Sequence, residues 1–260
     1  MKLSKNINAS YIDMVLTVAI DIGKAMLSSG AEVNRVEDTI ERICLAYGCT
    51  EADVFSITSE IIVTVRIGTD SYTQSKRIRS YTYNLKQLEE LNRLSREICE
   101  GTPDPNIIHG KIEEIVKVNE IKLLKKYFGY IIAVSAFTIL FGGGVFDAIA
   151  SVSISSLIFF LTHVLKKANI NFLAHVFIVA ILAGFLAVGL KFFLGFLNID
   201  VIIIGNVMVL IPAVAFTNGV RDLLGGDIAS GLLRISESVL VSIAIAVGFA
   251  IPLIILGGAL

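Results

Sequence analysis

Residues 127–260 carry only 10 of the chain's 45 Asp, Glu, Lys and Arg residues, and most of that segment consists of apolar runs close to 20 residues long. A helix rises about 1.5 Å per residue, so a run of about 20 apolar residues matches a hydrocarbon core about 30 Å thick. One such run could be buried in a soluble domain, but five in succession could not. Intervals free of charge, except for Glu237 near the start of the last, place spans at 127–146, 148–165, 170–190, 201–220 and 235–260. Gly142, Gly143, Gly144 and Asp147 separate the first two, which predicts a tight turn there, since one unbroken helix would be too long to cross once.

Basic residues set the orientation. Lys111, Lys117, Lys122, Lys125 and Lys126 precede the first span, Lys166 and Lys167 lie between spans two and three, and Arg221 and Arg234 between four and five. The opposite loops hold only Lys191. Counting by the positive-inside tendency puts the N-terminus in the cytoplasm and the C-terminus outside, with the chain multi-pass in the plasma membrane. The N-terminal stretch is polar and does not resemble a secretory leader. Cys44, Cys49 and Cys99 all fall in the cytoplasmic half, where thiols stay reduced. Their spacing and the scattered histidines provide no metal-ligand set. A net charge of -1 without a basic stripe argues against nucleic-acid binding.

The first half has changing periodicity. Tyr11, Val15, Val18, Ile22 and Met26 recur at helical spacing, as do Val33, Val36, Ile40, Ile43 and Tyr47. Ile61, Val63, Val65 and Ile67 then alternate at period two. With 55–58 and 72–78 they predict a three-stranded meander turning at Ser59 and Glu60 and again at Gly68, Thr69 and Asp70. Leu85, Leu88, Leu91, Leu94 and Ile98 predict a third helix, and Asp104 and Pro105 are suited to open a fourth. The expected fold is an α-helical polytopic membrane protein with an N-terminal cytoplasmic α/β domain. Its parts are the domain at 1–104, a connecting helix at 105–126 and about five spans at 127–260.

Two stretches could carry function. In 29–38, Ser29 and Glu32 have the spacing of a capping box, and Gly30 could close the preceding helix. Glu32, Arg35 and Glu37 would then form either an exposed charged face or a ligand or gating surface. In the second stretch, Arg221, Asp222, Asp227, Arg234 and Glu237 make up half of the ten charges of 127–260. Pro212 interrupts the fourth span and should bend it, while Asn206, Thr217 and Asn218 add polar side chains. Polar groups and backbone breaks persist in a bilayer only against protein or water, which points to a transport path rather than an ordinary loop. No nucleophile, base or phosphate-loop constellation appears in 1–126, so no catalytic residue, cofactor or metal is expected.

These residues resemble a known family. The segment 27–39 (LSSGAEVNRVEDT) is similar to the N-terminal signature of the threonine/serine exporters. Pro212, Thr217, Asn218, Arg221, Asp222, Leu223, Leu224, Gly226, Asp227, Ser230, Gly231 and Arg234 resemble the second signature, with Ala213 where the family usually has glycine. The resemblance covers nearly the whole chain. It implies a secondary transporter for a small carboxylate-bearing metabolite: threonine or serine for single-chain members, succinate for the enterobacterial split pair. Single-chain members have about ten spans, so this chain resembles the larger subunit of a split transporter. That implies a partner, a small membrane protein supplying the second half, and allows a homo-oligomer. A membrane-anchored metabolite sensor is the alternative reading.

Overall fold

A computed structural model describes residues 9–79, 81, 83–118, 122–167 and 170–256. These form two compact units: the described part of Met1–Glu120 with Val214–Ile235, and that of Ile121–Ala213 with Ser236–Leu260. Leu260 and the 2–3 loop residues 168 and 169 lie outside the described residues, as do the side chains of Lys166 and Lys167.

The first unit is built on α1 (Ala9–Ser28), with α2 (Val33–Ala46), β1 (Glu51–Ile57), β2 (Glu60–Ile67), β3 (Asp70–Arg77), α3 (Leu85–Gly101) and α4 (Pro105–Val118) around it. The sheet is an antiparallel meander in the order β1-β2-β3. β1 starts before the expected 55–58 because Glu51 already pairs with Arg66. Ile67 pairs with Asp70 across a two-residue turn. Gly68 adopts φ 62° there, a left-handed backbone that glycine accepts without steric cost. Ile61, Val63 and Val65 are buried on one face, as their period predicts. One-faced amphipathicity understates α1, which packs against α2, α3, α4, β2 and β3. Its Leu16, Ala19 and Ile20 are therefore as buried as Val15, Val18 and Ile22. Asn84 accepts a hydrogen bond from Gln87 N–H at the start of α3, and Asp104 accepts one from Asn106 N–H where Pro105 opens α4.

The remaining helices are α5 (Leu123–Leu140), α6 (Val145–Lys167), α7 (Phe172–Phe193), α8 (Ile199–Leu210), α9 (Ala213–Leu224) and α10 (Ile228–Leu256). Among the described residues four of these are long and apolar enough to cross a membrane, or five spans if α8 and α9, bent by 54°, count as one. Large apolar side chains such as Ile132, Leu140, Phe160, Leu240 and Ile254 face outward. Lipid solvates such an exterior and water does not. The chain is thus a helical, multi-pass membrane protein.

The expected fourth span, 201–220, is bent at Ile211 and Pro212, as its proline predicts, and from Val214 onward it belongs to the first unit. The last helix begins at Ile228 rather than near 235, and its opening turns also belong to the first unit. The turn between α5 and α6 forms as expected, with Gly142 at φ 94°. Asp147 fastens it by accepting from Gly144 N–H at 2.8 Å and from Asn198 N–H at 2.7 Å.

Within the second unit small residues bring helices into backbone contact. A Cβ at Gly205 on α8 would fall on the Thr138 hydroxyl of α5 and lie 3.1 Å from the Thr138 nitrogen. That hydroxyl lies 2.8 Å from Ser151 Oγ on α6, so the glycine seats a polar pair between three helices. Gly205→Leu is expected to force α5 and α8 apart at a cost of about 1–3 kcal/mol. A drop in thermal unfolding midpoint in detergent is the readout. Gly189→Leu on α7, where a Cβ meets nothing within 4 Å, should leave the midpoint unchanged.

Candidate functional site

The candidate site grows from the junction between α1 and α2. Gly30, at φ 99°, turns the chain out of α1 in the left-handed conformation expected of a helix-closing glycine. The capping box does not form. Ser29 Oγ donates back to the Ala25 carbonyl at 2.7 Å, and Glu32 is itself the N-cap residue, without a side-chain cap bond. The first free N–H of α2, on Val33, donates instead to Asp222 Oδ1 at 3.1 Å, 189 residues away in sequence. A carboxylate suits a helix N-terminus, where unpaired N–H groups concentrate partial positive charge.

Asp222 arrives on a hairpin of α9 and the start of α10. Gly226, at φ 98°, closes α9. Gly219 and Gly231 let the two arms touch: a Cβ on Gly231 would lie 2.8 Å from the Gly219 carbonyl oxygen. The hairpin's polar side chains then answer the exposed backbone of the junction. Asn218 Nδ2 donates to the Gly30 carbonyl at 2.8 Å, and Arg234 Nη2 donates to the Ala31 carbonyl at 3.0 Å. In return Asn34 Nδ2 donates to the Gly225 carbonyl at 2.9 Å. Arg234 Nε sits 3.3 Å from Asp222 Oδ2 in an ion pair whose side chains are 6% and 1% exposed. Arg221 Nη1 reaches Glu32 Oε1 at 2.8 Å in a more open pair, 61% and 36% exposed.

The two stretches singled out in the sequence thus form one network. Gly30 and Glu32 meet Asn218, Arg221, Asp222 and Arg234. Within this network Asp222 engages Val33 and Arg234, and Glu32 holds Arg221. Glu37 is not part of an exposed charged face. It accepts from Ser56 N–H at 2.6 Å and from Ser56 Oγ at 3.1 Å. Burial pushes its carboxyl above the ordinary range and the Asp227 charge adds to this, while the two Ser56 bonds oppose it. Burial also raises Asp227, whose Oδ2 has no hydrogen-bond partner among the described residues. Arg35 remains exposed.

Asn206, Pro212 and Glu237 fall in the second unit. Asn206 is fully buried, with Nδ2 donating to the Ile202 carbonyl at 2.9 Å and Oδ1 without a partner among the described residues. Pro212 sits at the break between α8 and α9, and Glu237 is exposed on α10. Sequence reasoning missed the roles of Asn34, Gly225 and Ser56. Asn34 was visible as an amide inside the first motif; nothing in the sequence marked Ser56. Among the described residues no group of three His, Cys, Asp or Glu side chains is placed to hold a metal ion. Burial pushes the Cys44 thiol up to about 12, which leaves it protonated and unreactive near neutrality.

A family model, ThrE, described as a threonine/serine exporter, matches residues 17–256. No curated protein and no solved structure gives a match. The matched segment contains both halves of the network and all the apolar helices, and the family is one of transporters rather than enzymes. The chain belongs to the threonine/serine exporter family.

Proposed function

We propose that this chain is one subunit of a plasma-membrane secondary transporter that exports threonine, serine or a related small carboxylate such as succinate. The family match over 17–256 carries the reading, and the apolar helices supply the membrane-crossing element it needs. In this reading the N-terminus is cytoplasmic, the C-terminus faces outward, and a small membrane protein completes the path. Asn206, Pro212 and Glu237 serve the membrane part of that path. Arg221 offers its exposed guanidinium to the substrate carboxylate. Asn218, Asp222 and Arg234, clamped to Gly30, Ala31 and Val33, act as a gate together with Asp227 at the hairpin turn. A guanidinium suits the task because two parallel N–H groups match the two oxygens of a carboxylate.

Efflux from cells preloaded with labelled threonine, serine or succinate tests the reading, with the chain produced alone and together with a small membrane protein supplying the second half. Accelerated efflux of one compound only when both are present is the expected result. Efflux at the background rate for all three, with both proteins verified in the membrane, would leave a sensor as the better reading. Efflux by the chain alone would remove the partner.

A further inference from the structure

Arg35 belongs to the first motif, yet it takes no part in the network around Asp222. It faces a groove between α2 and α3, where a cavity of about 210 Å³ is lined by Arg35, Asp38, Arg42, Asn92, Ser95 and Arg96 among others. A second cavity of about 300 Å³ shares Arg35, Asn92 and Arg96 and adds Glu89. Three guanidiniums therefore meet one carboxylate in the first cavity. That carboxylate is already used, because Asp38 Oδ1 accepts from Arg42 Nε at 2.8 Å. Arg35 and Arg96 have no side-chain hydrogen bond or ion pair among the described residues.

Like charges facing one another across a groove repel unless an anion lies between them. Within the first cavity the remaining polar groups supply no anion, and Glu89 lines only the adjoining one. Ser95 Oγ donates to the Asn92 carbonyl, and Asn92 Nδ2 donates to the Leu88 carbonyl. These bonds hold the α3 side chains in place and leave the two arginines as the groove's free donors. The first cavity falls below, and the second at the lower end of, the roughly 300–1,000 Å³ of pockets for drug-sized ligands, so the groove suits a metabolite of a few carbons.

We infer that the α2–α3 groove is a binding site for a small carboxylate-bearing metabolite, gripped between Arg35 and Arg96. A dicarboxylate would give one carboxylate to each guanidinium. An amino acid would place its carboxylate on the arginines and its ammonium towards Glu89. The site lies on the helix whose N-terminus Asp222 caps. It does not depend on the transport reading, since binding here can be measured whether or not the protein exports.

Isothermal titration of the full-length protein in lipid nanodiscs with succinate, L-threonine, L-serine and inorganic phosphate tests the site. At least one carboxylate should bind the wild type. Arg96→Gln, an exposed substitution outside the Asp222 network, should weaken that binding roughly 10- to 150-fold, the loss expected for a charge-assisted hydrogen bond. Arg35→Gln should do the same. If the ligand is an amino acid, Glu89→Gln weakens it as well; if it is succinate, Glu89→Gln does not. Three results would overturn the proposal: no carboxylate binding, binding of phosphate alone, or a carboxylate affinity unchanged in both arginine variants. The last places the bound carboxylate elsewhere in the protein. A protein that exports but shows no Arg96-dependent binding sinks only the groove, and the converse sinks only the transport reading.

Discussion

Asp222→Ala is expected to destabilise the first unit by about 3–5 kcal/mol, the cost typical of removing one partner from a buried ion pair. Two losses coincide. The Val33 N–H loses the acceptor that caps α2, a loss usually near 1 kcal/mol. The Arg234 guanidinium, 6% exposed, loses the carboxylate beside it. Asp222→Asn should fall between wild type and Asp222→Ala, because an amide oxygen can still cap Val33 but cannot neutralise Arg234. Asp222→Ala combined with Arg234→Leu should recover part of the loss, since no buried charge is left behind. Thermal unfolding of the purified protein, together with limited proteolysis within 214–235, gives the measurement. An Asp222→Ala protein that melts with the wild type and resists proteolysis equally would show that the pair does not hold the hairpin.

Arg221→Lys is expected to leave stability nearly unchanged and to reduce export roughly 10- to 150-fold. Its pair with Glu32 is open to solvent, and such pairs contribute about 0–1 kcal/mol. Lysine keeps the positive charge but cannot offer the paired N–H geometry that matches a carboxylate. Exchanging the partners, Glu32→Arg with Arg221→Glu, separates the two roles of the arginine. If Arg221 contacts the substrate, the exchange stays inactive although the ion pair can re-form. Export restored by the exchange would assign Arg221 to the clamp alone. Wild-type rate and half-saturation in Arg221→Lys would lead to the same conclusion.

Much of the architecture was legible because it follows from local periodicity. Apolar runs matched to a bilayer announced the membrane helices, and the alternation at Ile61, Val63 and Val65 announced the sheet. Gly30 and Gly142 marked chain reversals because a left-handed backbone favours glycine wherever it occurs. The capping box failed because Ser29 and Glu32 satisfy a local pattern while the N–H of Val33 takes whichever acceptor is best placed. That acceptor is Asp222.

The same physics explains the fate of 201–220. Its apolar character and Pro212 predicted a bent span, and the bend is there. Composition could not reveal that the chain beyond Pro212 joins the first unit. Asn218, Asp222 and Arg234 are costly wherever they go unpaired, and the turn at Gly30, Ala31 and Val33 presents two carbonyls and an N–H in need of partners. Each motif was therefore visible in the sequence. Their union was decided by tertiary structure, because a buried polar group is satisfied by nearness in space rather than along the chain.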